Sequence, residues 1–236
     1  VNAAVFGEDQ ARCAVIGYDY TVFAGTQGVI NHRKKDRLLG LAAQWEIPLV
    51  LFAEGGGGRP GDEWPTPAGL DTTTFTRMGA LSGLVPTVGV VSGRCFAGNA
   101  ALLGGCDVII AAQDSNIGMG GPAMIEGGGL GIFRPEEVGP MSVQVPNGVV
   151  DVAVRDEAEA VAVAKKYLGY FQGRLPEWSC ADQRLLRHAI PENRLRAYDI
   201  RALIEVLADT GSVLELRPAF GVGMITALVR IEGRPV

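Results

Sequence analysis

Pro86-Thr87-Val88-Gly89-Val90-Val91-Ser92-Gly93-Arg94-Cys95-Phe96-Ala97-Gly98-Asn99-Ala100-Ala101-Leu102 is the stretch that decides the fold. A short apolar run of the buried-strand type enters a turn of small residues, and a small-residue helix follows at once. Such a junction aims bare backbone N–H groups, backed by a helix N-terminus, at whatever lies above the turn. Bulky side chains would block that approach, so the pattern nominates the Ala97 and Gly98 N–H groups as paired donors to an oxyanion. An earlier strand, Ile47 to Ala53, ends in a second glycine turn, Glu54-Gly55-Gly56-Gly57-Gly58-Arg59. The two turns are expected to meet around one carbonyl oxygen. A purely structural reading stands beside this one: glycine supplies 33 of 236 residues, and glycine runs after strands also make tight connections. Neither turn has the spacing or the following acidic residue of a dinucleotide fingerprint, and no Walker-type phosphate loop occurs.

Composition narrows the classes. With 47% hydrophobic and 20% charged residues over 236 positions, the chain reads as globular, one large domain or one and a fraction. A net charge of −5 argues against nucleic acid as a partner. No apolar run reaches the roughly 18 residues of a membrane span, and no secretory signal is read at the start. Cys13, Cys95, Cys106 and Cys180 have no CxxC spacing, so neither a zinc ribbon nor any other bound metal is expected. Free thiols fit a reducing compartment, either cytoplasm or an equivalent matrix.

Around the opening stretch the chain alternates strands and helices. Arg12 to Tyr18 and Tyr20 to Phe23 read as strands joined by a tight turn. Val29 to Trp45 reads as a helix with Leu38, Leu41, Ala42 and Trp45 on its apolar face. Ile47 to Phe52 is a strand, a loop runs to about Pro67, and Leu70 to Leu84 is a helix. Asp107 to Ala112 is another buried strand. This order predicts an α/β fold with a mostly parallel sheet flanked by helices. Short helical turns are expected at Pro122 to Ile125 and Pro135 to Gly139. Then come a strand at Val149 to Val154 and a helix from Asp156 to Phe171, where Asp156 and Glu159 form a capping box. Gly173 to Pro191 is linker-like, Ile200 to Ala208 is helical, and Gly223 to Ile231 is a final strand.

Several segments then carry a family resemblance. They are Asp19-Tyr20-Thr21-Val22-Phe23-Ala24-Gly25-Thr26 with His32 and Lys35, then Ile47 through Gly57, then Val85 through Asp107. Gly121-Pro122, Glu136-Glu137-Val138-Gly139, Gly148-Val149, Asp156-Glu157, Tyr198 through Arg201 and Ala227 through Val236 follow in the same order. Together they resemble the N-terminal half of the β-type carboxyltransferase component of biotin-dependent acyl-CoA carboxylases. That resemblance implies a crotonase-like (ClpP/crotonase) ββα superhelix. It implies residues 1–175 as the first crotonase-like domain, 176–222 as a helical bridge, and 223–236 as the first strand of a second, truncated half. It also implies acyl-CoA as substrate and carboxybiotin brought by a carrier domain or subunit. Biotin carboxylase and biotin carboxyl carrier components, and the second half of a neighbouring subunit, are the implied partners. The implied assembly is a homo-oligomer, a hexamer by resemblance, in cytoplasm or mitochondrial matrix. On that reading the chain given is a fragment, or the ordered part, of a longer protein.

Because the cofactor brings both base and electrophile in such enzymes, the protein mainly supplies geometry and charge stabilisation. Ala97 and Gly98 then hold the enolate oxygen. Gly55, Gly56, Gly57, Gly58, Arg59, Phe96, Asn99, Gly121 and Pro122 contact the substrate, with Arg59 on a CoA phosphate. Three departures accompany the resemblance: Glu54 where the family has Ser, Asn99 where it has Gly, and Gln144 and Asn147 in place of a histidine. Asn99 is expected to narrow the pocket. The basic run Arg33, Lys34, Lys35 and Arg37 is read as a solvated helix face or a phosphate lure. Trp64 is a candidate adenine contact, and Met119 to Met124 a roof over the acyl channel. His32 and His188 are read as structural or surface residues. Two alternatives remain open. One is an enoyl-CoA hydratase-like enzyme, which needs a placed acid such as Glu126, Glu136 or Glu137. The other is a non-catalytic CoA-binding or assembly module.

Overall fold

The computed structural model describes residues 1–59, 61 and 72–236. Trp64, Pro67 and Leu70 therefore lie outside the described residues. In chain order the elements are α1 (Ala3–Phe6), β1 (Ala14–Gly17), α2 (Val29–Trp45), β2 (Leu49–Phe52), α3 (Thr74–Ala80), β3 (Thr87–Val91) and β4 (Arg94–Phe96). Then follow α4 (Gly98–Leu103), β5 (Val108–Ala112), β6 (Asn116–Gly118), α5 (Pro122–Gly127), α6 (Met141–Gln144), β7 (Val152–Val154) and α7 (Glu157–Gly169). The chain closes with α8 (Ile200–Leu207), β8 (Leu214–Leu216), β9 (Thr226–Leu228), β10 (Arg230–Ile231) and β11 (Arg234–Pro235). It resolves into two compact units, one of Arg12–Ala164 and one of Val1–Ala11 with Lys165–Val236.

In the larger unit five strands form a wholly parallel sheet of order β1-β2-β3-β5-β7. Every residue of β3 and β5 is buried, so these strands show no alternation: both sheet faces are covered. Leu39, Ala42, Leu49, Leu51, Leu81, Leu103 and Ile109 belong to one core cluster that joins helices to sheet. Two short strands, β4 and β6, pair in parallel with each other and form a second small sheet. The chain thus repeats strand, short strand, helix twice: β3-β4-α4, then β5-β6-α5.

Three local expectations give way to tertiary structure. Tyr20 to Phe23 is a turn, not a strand: the Asp19 carboxylate accepts the Thr21 N–H at 2.9 Å, and Phe23 and Ala24 have φ of 50° and 53°. Helix α2 has the predicted bounds, but Lys35, Leu39 and Ala42 form its buried side, while Trp45 is exposed. The basic run is therefore not one solvated face. The capping box of α7 is displaced by one residue: Asp156 Oδ1 accepts the Glu159 N–H at 2.9 Å, and Glu159 accepts from Arg155 N–H at 2.8 Å.

In the smaller unit the Arg230 guanidinium is buried over the Phe6 and Tyr170 rings and donates to the carbonyls of Gly173 and Gly233. Here β8 pairs antiparallel with β9, and β10 with β11. Among the described residues no helix is long and apolar enough to cross a membrane.

Candidate active site

The first glycine turn is stitched to the second by backbone bonds. Gly55 N–H donates to the Arg94 carbonyl, and Phe96 N–H to the Gly55 carbonyl, both at 2.8 Å. Gly56 N–H reaches the Ala24 carbonyl at 3.0 Å, and Gln27 N–H the Gly57 carbonyl at 2.6 Å. Two positions require glycine. A Cβ built on Gly55 would lie 2.2 Å from Asn99 Nδ2 and 2.4 Å from the Gly25 carbonyl oxygen. Gly57, at φ +90°, would carry a Cβ 2.5 Å from that of Ala97 and 3.4 Å from the Gly98 nitrogen. The close approach expected of the two turns is thus present, on the edge where β2 and β3 end.

Of the two predicted donor groups, the Ala97 N–H is already bonded within the protein. Ala97 has φ 51° and gives its N–H to the Gly118 carbonyl at 2.9 Å, so that group is spent on joining the turn to β6. The N–H groups of Gly98 and Asn99, which open α4, find no acceptor among the described residues, as the first turn of any helix requires. Gly98 is half-buried, with Gln27 Nε2 and the Phe75 ring as its nearest side-chain neighbours.

Asn99 does not narrow an open pocket. Its side chain is fully buried, and its Oδ1 accepts both Gln27 Nε2 at 2.8 Å and Gly57 N–H at 3.0 Å. Gln27 Oε1 in turn accepts from Lys35 Nζ, which also donates to Tyr18 Oη at 3.0 Å. Burial pulls the Lys35 ammonium down to about 7, partly opposed by the charge of Asp36. Sequence reasoning missed Gln27 and Phe75 as neighbours of the site, and named Lys35 only within the family signature and the basic run. The placement of Gln27 between Gly25-Thr26 and Gly28 was the available signal.

Residues 5–236 match the carboxyl transferase domain family. The chain belongs to that family. Among relatives, the propionyl-CoA carboxylase beta chain of Rhodococcus erythropolis is 30% identical over 100% of this chain and 51% of its own length. A solved single-chain, multi-domain long-chain acyl-CoA carboxylase is 62% identical, with a TM-score of 0.95, over 100% of this chain and 23% of that one. The transcarboxylase 12S structure superposes with a TM-score of 0.80 at 23% identity, over 94% of this chain and 46% of that one, which shows a shared fold. The fold is therefore the crotonase-like one. The chain spans about half the length of the curated relatives it matches, 46% of one and 40% of another.

Within this carboxyl transferase domain the remaining predicted residues are placed as follows. Arg59 is held by Thr26, donating to its carbonyl at 3.0 Å and its hydroxyl at 3.3 Å, and stacks over Phe23. It borders a cavity of about 410 Å³ that Tyr18, Asp19, Thr26, Lys34 and Lys35 also line. Gly56 and Gly58 are exposed beside it in the turn, whereas Gly55 is interior. Phe96 is buried, with Gly121 against its ring, and Pro122 opens α5 next to it. Met119 and Met124 are exposed.

Two of the three acids nominated for hydratase chemistry, Glu136 and Glu137, are committed elsewhere. Glu136 pairs with Arg94, and Glu137 accepts the Arg134 N–H at 2.7 Å. Hydrogen bonds, first to backbone N–H groups and then to these arginines, hold both carboxyls below the usual range. Asp107 latches the start of β3 by accepting from the Thr87 N–H and hydroxyl at 2.8 and 2.9 Å. Glu54 accepts the Ser92 N–H at 2.6 Å, and burial raises its carboxyl. Its side chain lines a second cavity, of about 690 Å³, with Tyr20, Gly93, Arg94 and Glu157. Burial also pushes the Cys106 thiol up to about 12 and the Cys95 thiol higher still, so neither is a ready nucleophile. His32, half-buried, meets Thr74 Oγ1 through Nδ1 at 2.8 Å and ties α2 to α3. Its imidazole is pulled down to about 4 by burial and then by Lys35. His188 lies in a short helical turn of the other unit.

Proposed function

We propose that this chain forms the acyl-CoA side of the carboxyltransferase of a biotin-dependent acyl-CoA carboxylase, acting on long-chain acyl-CoA. The substrate class is supported by the 62% identical relative whose own title names a long-chain acyl-CoA carboxylase. The observation that carries the reaction is the glycine junction, where the Gly98 and Asn99 N–H groups find no acceptor among the described residues and the first glycine turn packs closely on Ala97 and Gly98.

A thioester carbonyl seated there becomes an enolate oxygen when the α-proton leaves. Two fixed N–H donors stabilise that charge, each by about 3 kcal/mol of barrier. In this reading Gly98 and Asn99 are the donors, and Ala97 fixes their direction through its bond to Gly118. Biotin, when bound, supplies the carboxyl group and the base for the α-proton. The residues at the junction fit that division of labour. They offer backbone donors and buried amides, while Glu136, Glu137 and Asp107 are engaged in structural bonds. The chain's own work is to bind the thioester, exclude water and hold the enolate.

Biotin carboxylase and biotin carrier components are the proposed partners, together with the second carboxyltransferase half of a neighbouring subunit. A homo-oligomer, hexameric by the family resemblance, and a cytoplasmic or mitochondrial-matrix location complete the proposal. The test uses the longest native polypeptide containing this chain, free biotin and a panel of carboxylated CoA thioesters. Biotin-dependent loss of carboxylate, fastest for long acyl groups, is expected. Hydration of enoyl-CoAs without carboxyl transfer would replace this reading with the hydratase, and silence in both assays would leave a CoA-binding module.

A further inference from the structure

Lys35 is a buried cationic side chain that the chemistry above does not use. It is 6% exposed, and its two hydrogen-bond partners, Tyr18 Oη and Gln27 Oε1, are uncharged. Among the described residues no carboxylate lies within ion-pair distance of it. The adjacent Asp36 turns its oxygens to the hydroxyls of Thr73 and Thr74. Asp19, Lys34 and Arg59 border the same cavity, and His32 lies about one helical turn back. A buried cation with only neutral hydrogen-bond partners among the described residues is unfavourable, so its position calls for a reason.

The hydrogen-bond directions supply one. An ammonium only donates, so the Gln27 amide must turn its oxygen toward Lys35 and its nitrogen away. That nitrogen meets Asn99 Oδ1 at 2.8 Å, which fixes the Asn99 amide in turn. Asn99 Oδ1 then receives the Gly57 N–H at 3.0 Å, and Asn99 Nδ2 points at the Glu54 carbonyl at 3.4 Å. One cation thereby orients two side-chain amides in series, and the second holds both ends of the first glycine turn. Reversing the Gln27 amide would face donor to donor and acceptor to acceptor, so the lock has one setting.

We propose that Lys35 is a positioning residue for the enolate step. Through Gln27 and Asn99 it holds the first glycine turn against Gly98. This rests on the enolate-stabilising reading of the junction.

The test compares Lys35→Met and Gln27→Met with wild type in the full-length polypeptide. Turnover is read as carboxyl transfer from a carboxylated CoA thioester to free biotin. Backbone hydrogen exchange is followed over residues 54–59. Each variant is expected to lose about 10-fold or more in kcat with KM for the thioester within about twofold, the mark of an interaction made in the transition state. Exchange over 54–59 is expected to accelerate in both. Should Lys35→Met fail to fold, Gln27→Met alone carries the comparison. Wild-type kcat in folded variants, or a loss confined to KM, would overturn the inference. Absence of turnover in wild type would instead remove the carboxyl-transfer reading. Exchange would then decide the lock: acceleration supports it and an unchanged rate overturns it.

Discussion

Replacing Lys35 by methionine should stabilise the unit Arg12–Ala164 at neutral pH and destabilise it at high pH. The side chain's ordinary value of 10.5 is pulled to about 7, chiefly by burial. Burial weakens the hold of the folded state on this proton, so the unfolded chain holds more protons between those two values. Stability therefore rises as pH climbs from about 7 to 10.5 and is lost as it falls back. At roughly 1.36 kcal/mol per pK unit, keeping Lys35 buried costs about 4 kcal/mol at pH 7 and about 1 kcal/mol at pH 10. Methionine carries no such cost but leaves Gln27 Oε1 and Tyr18 Oη without their donor, a loss of about 2 kcal/mol at either pH. The net expectation is a variant about 2 kcal/mol more stable than wild type at pH 7 and about 1 kcal/mol less stable at pH 10. Hydrogen exchange of peptides from β3 and β5 across a denaturant series would measure this within the full-length polypeptide. A stability difference that is the same at both pH values would refute the reasoning, because it would mean that Lys35 titrates alike in the folded and unfolded chains.

Gly55→Ala drives a methyl into Asn99 Nδ2 and the Gly25 carbonyl, so a loss of about 3 kcal/mol is expected. Adding Asn99→Gly should recover less than half of it in a double-mutant cycle, since the clash with Gly25 is backbone. His32, pulled to about 4 by burial and then by Lys35, is neutral when folded, so its contribution is lost as pH falls from about 6.5 to 4. After screening of the half-exposed ring, wild type should lose about 1 kcal/mol more than His32→Asn between pH 7 and 4 in the same exchange experiment. Glu136→Gln removes the exposed pair with Arg94 and should leave carboxyl transfer within about twofold of wild type. A hundredfold loss there would restore the glutamate as a catalytic acid.

The sequence determined what rests on local pattern. Val88 to Val91 and Val108 to Ala112 are uninterrupted apolar runs, and only strands covered on both faces bury every residue of such runs. Helix α2 was legible because its apolar positions recur at helical spacing, and the two glycine turns because they directly follow strands. The order of those motifs carried the family.

Tertiary structure decided the rest. The three-residue strands β4 and β6 have no period to read, and they exist because each pairs with the other across 22 positions of chain. The engagement of the Ala97 N–H follows from the same small sheet, since the Gly118 carbonyl at the end of β6 accepts it. Lys35 belongs by type to a solvated basic run, yet it is buried because Gln27 and Tyr18 come to meet it. Gln27 and Asn99, 72 residues apart, make one bond that sets the spacing of the two turns. Side-chain type and spacing state what a residue can donate or accept. Which partner completes it depends on the chain path, and that path is fixed by packing over the whole sheet.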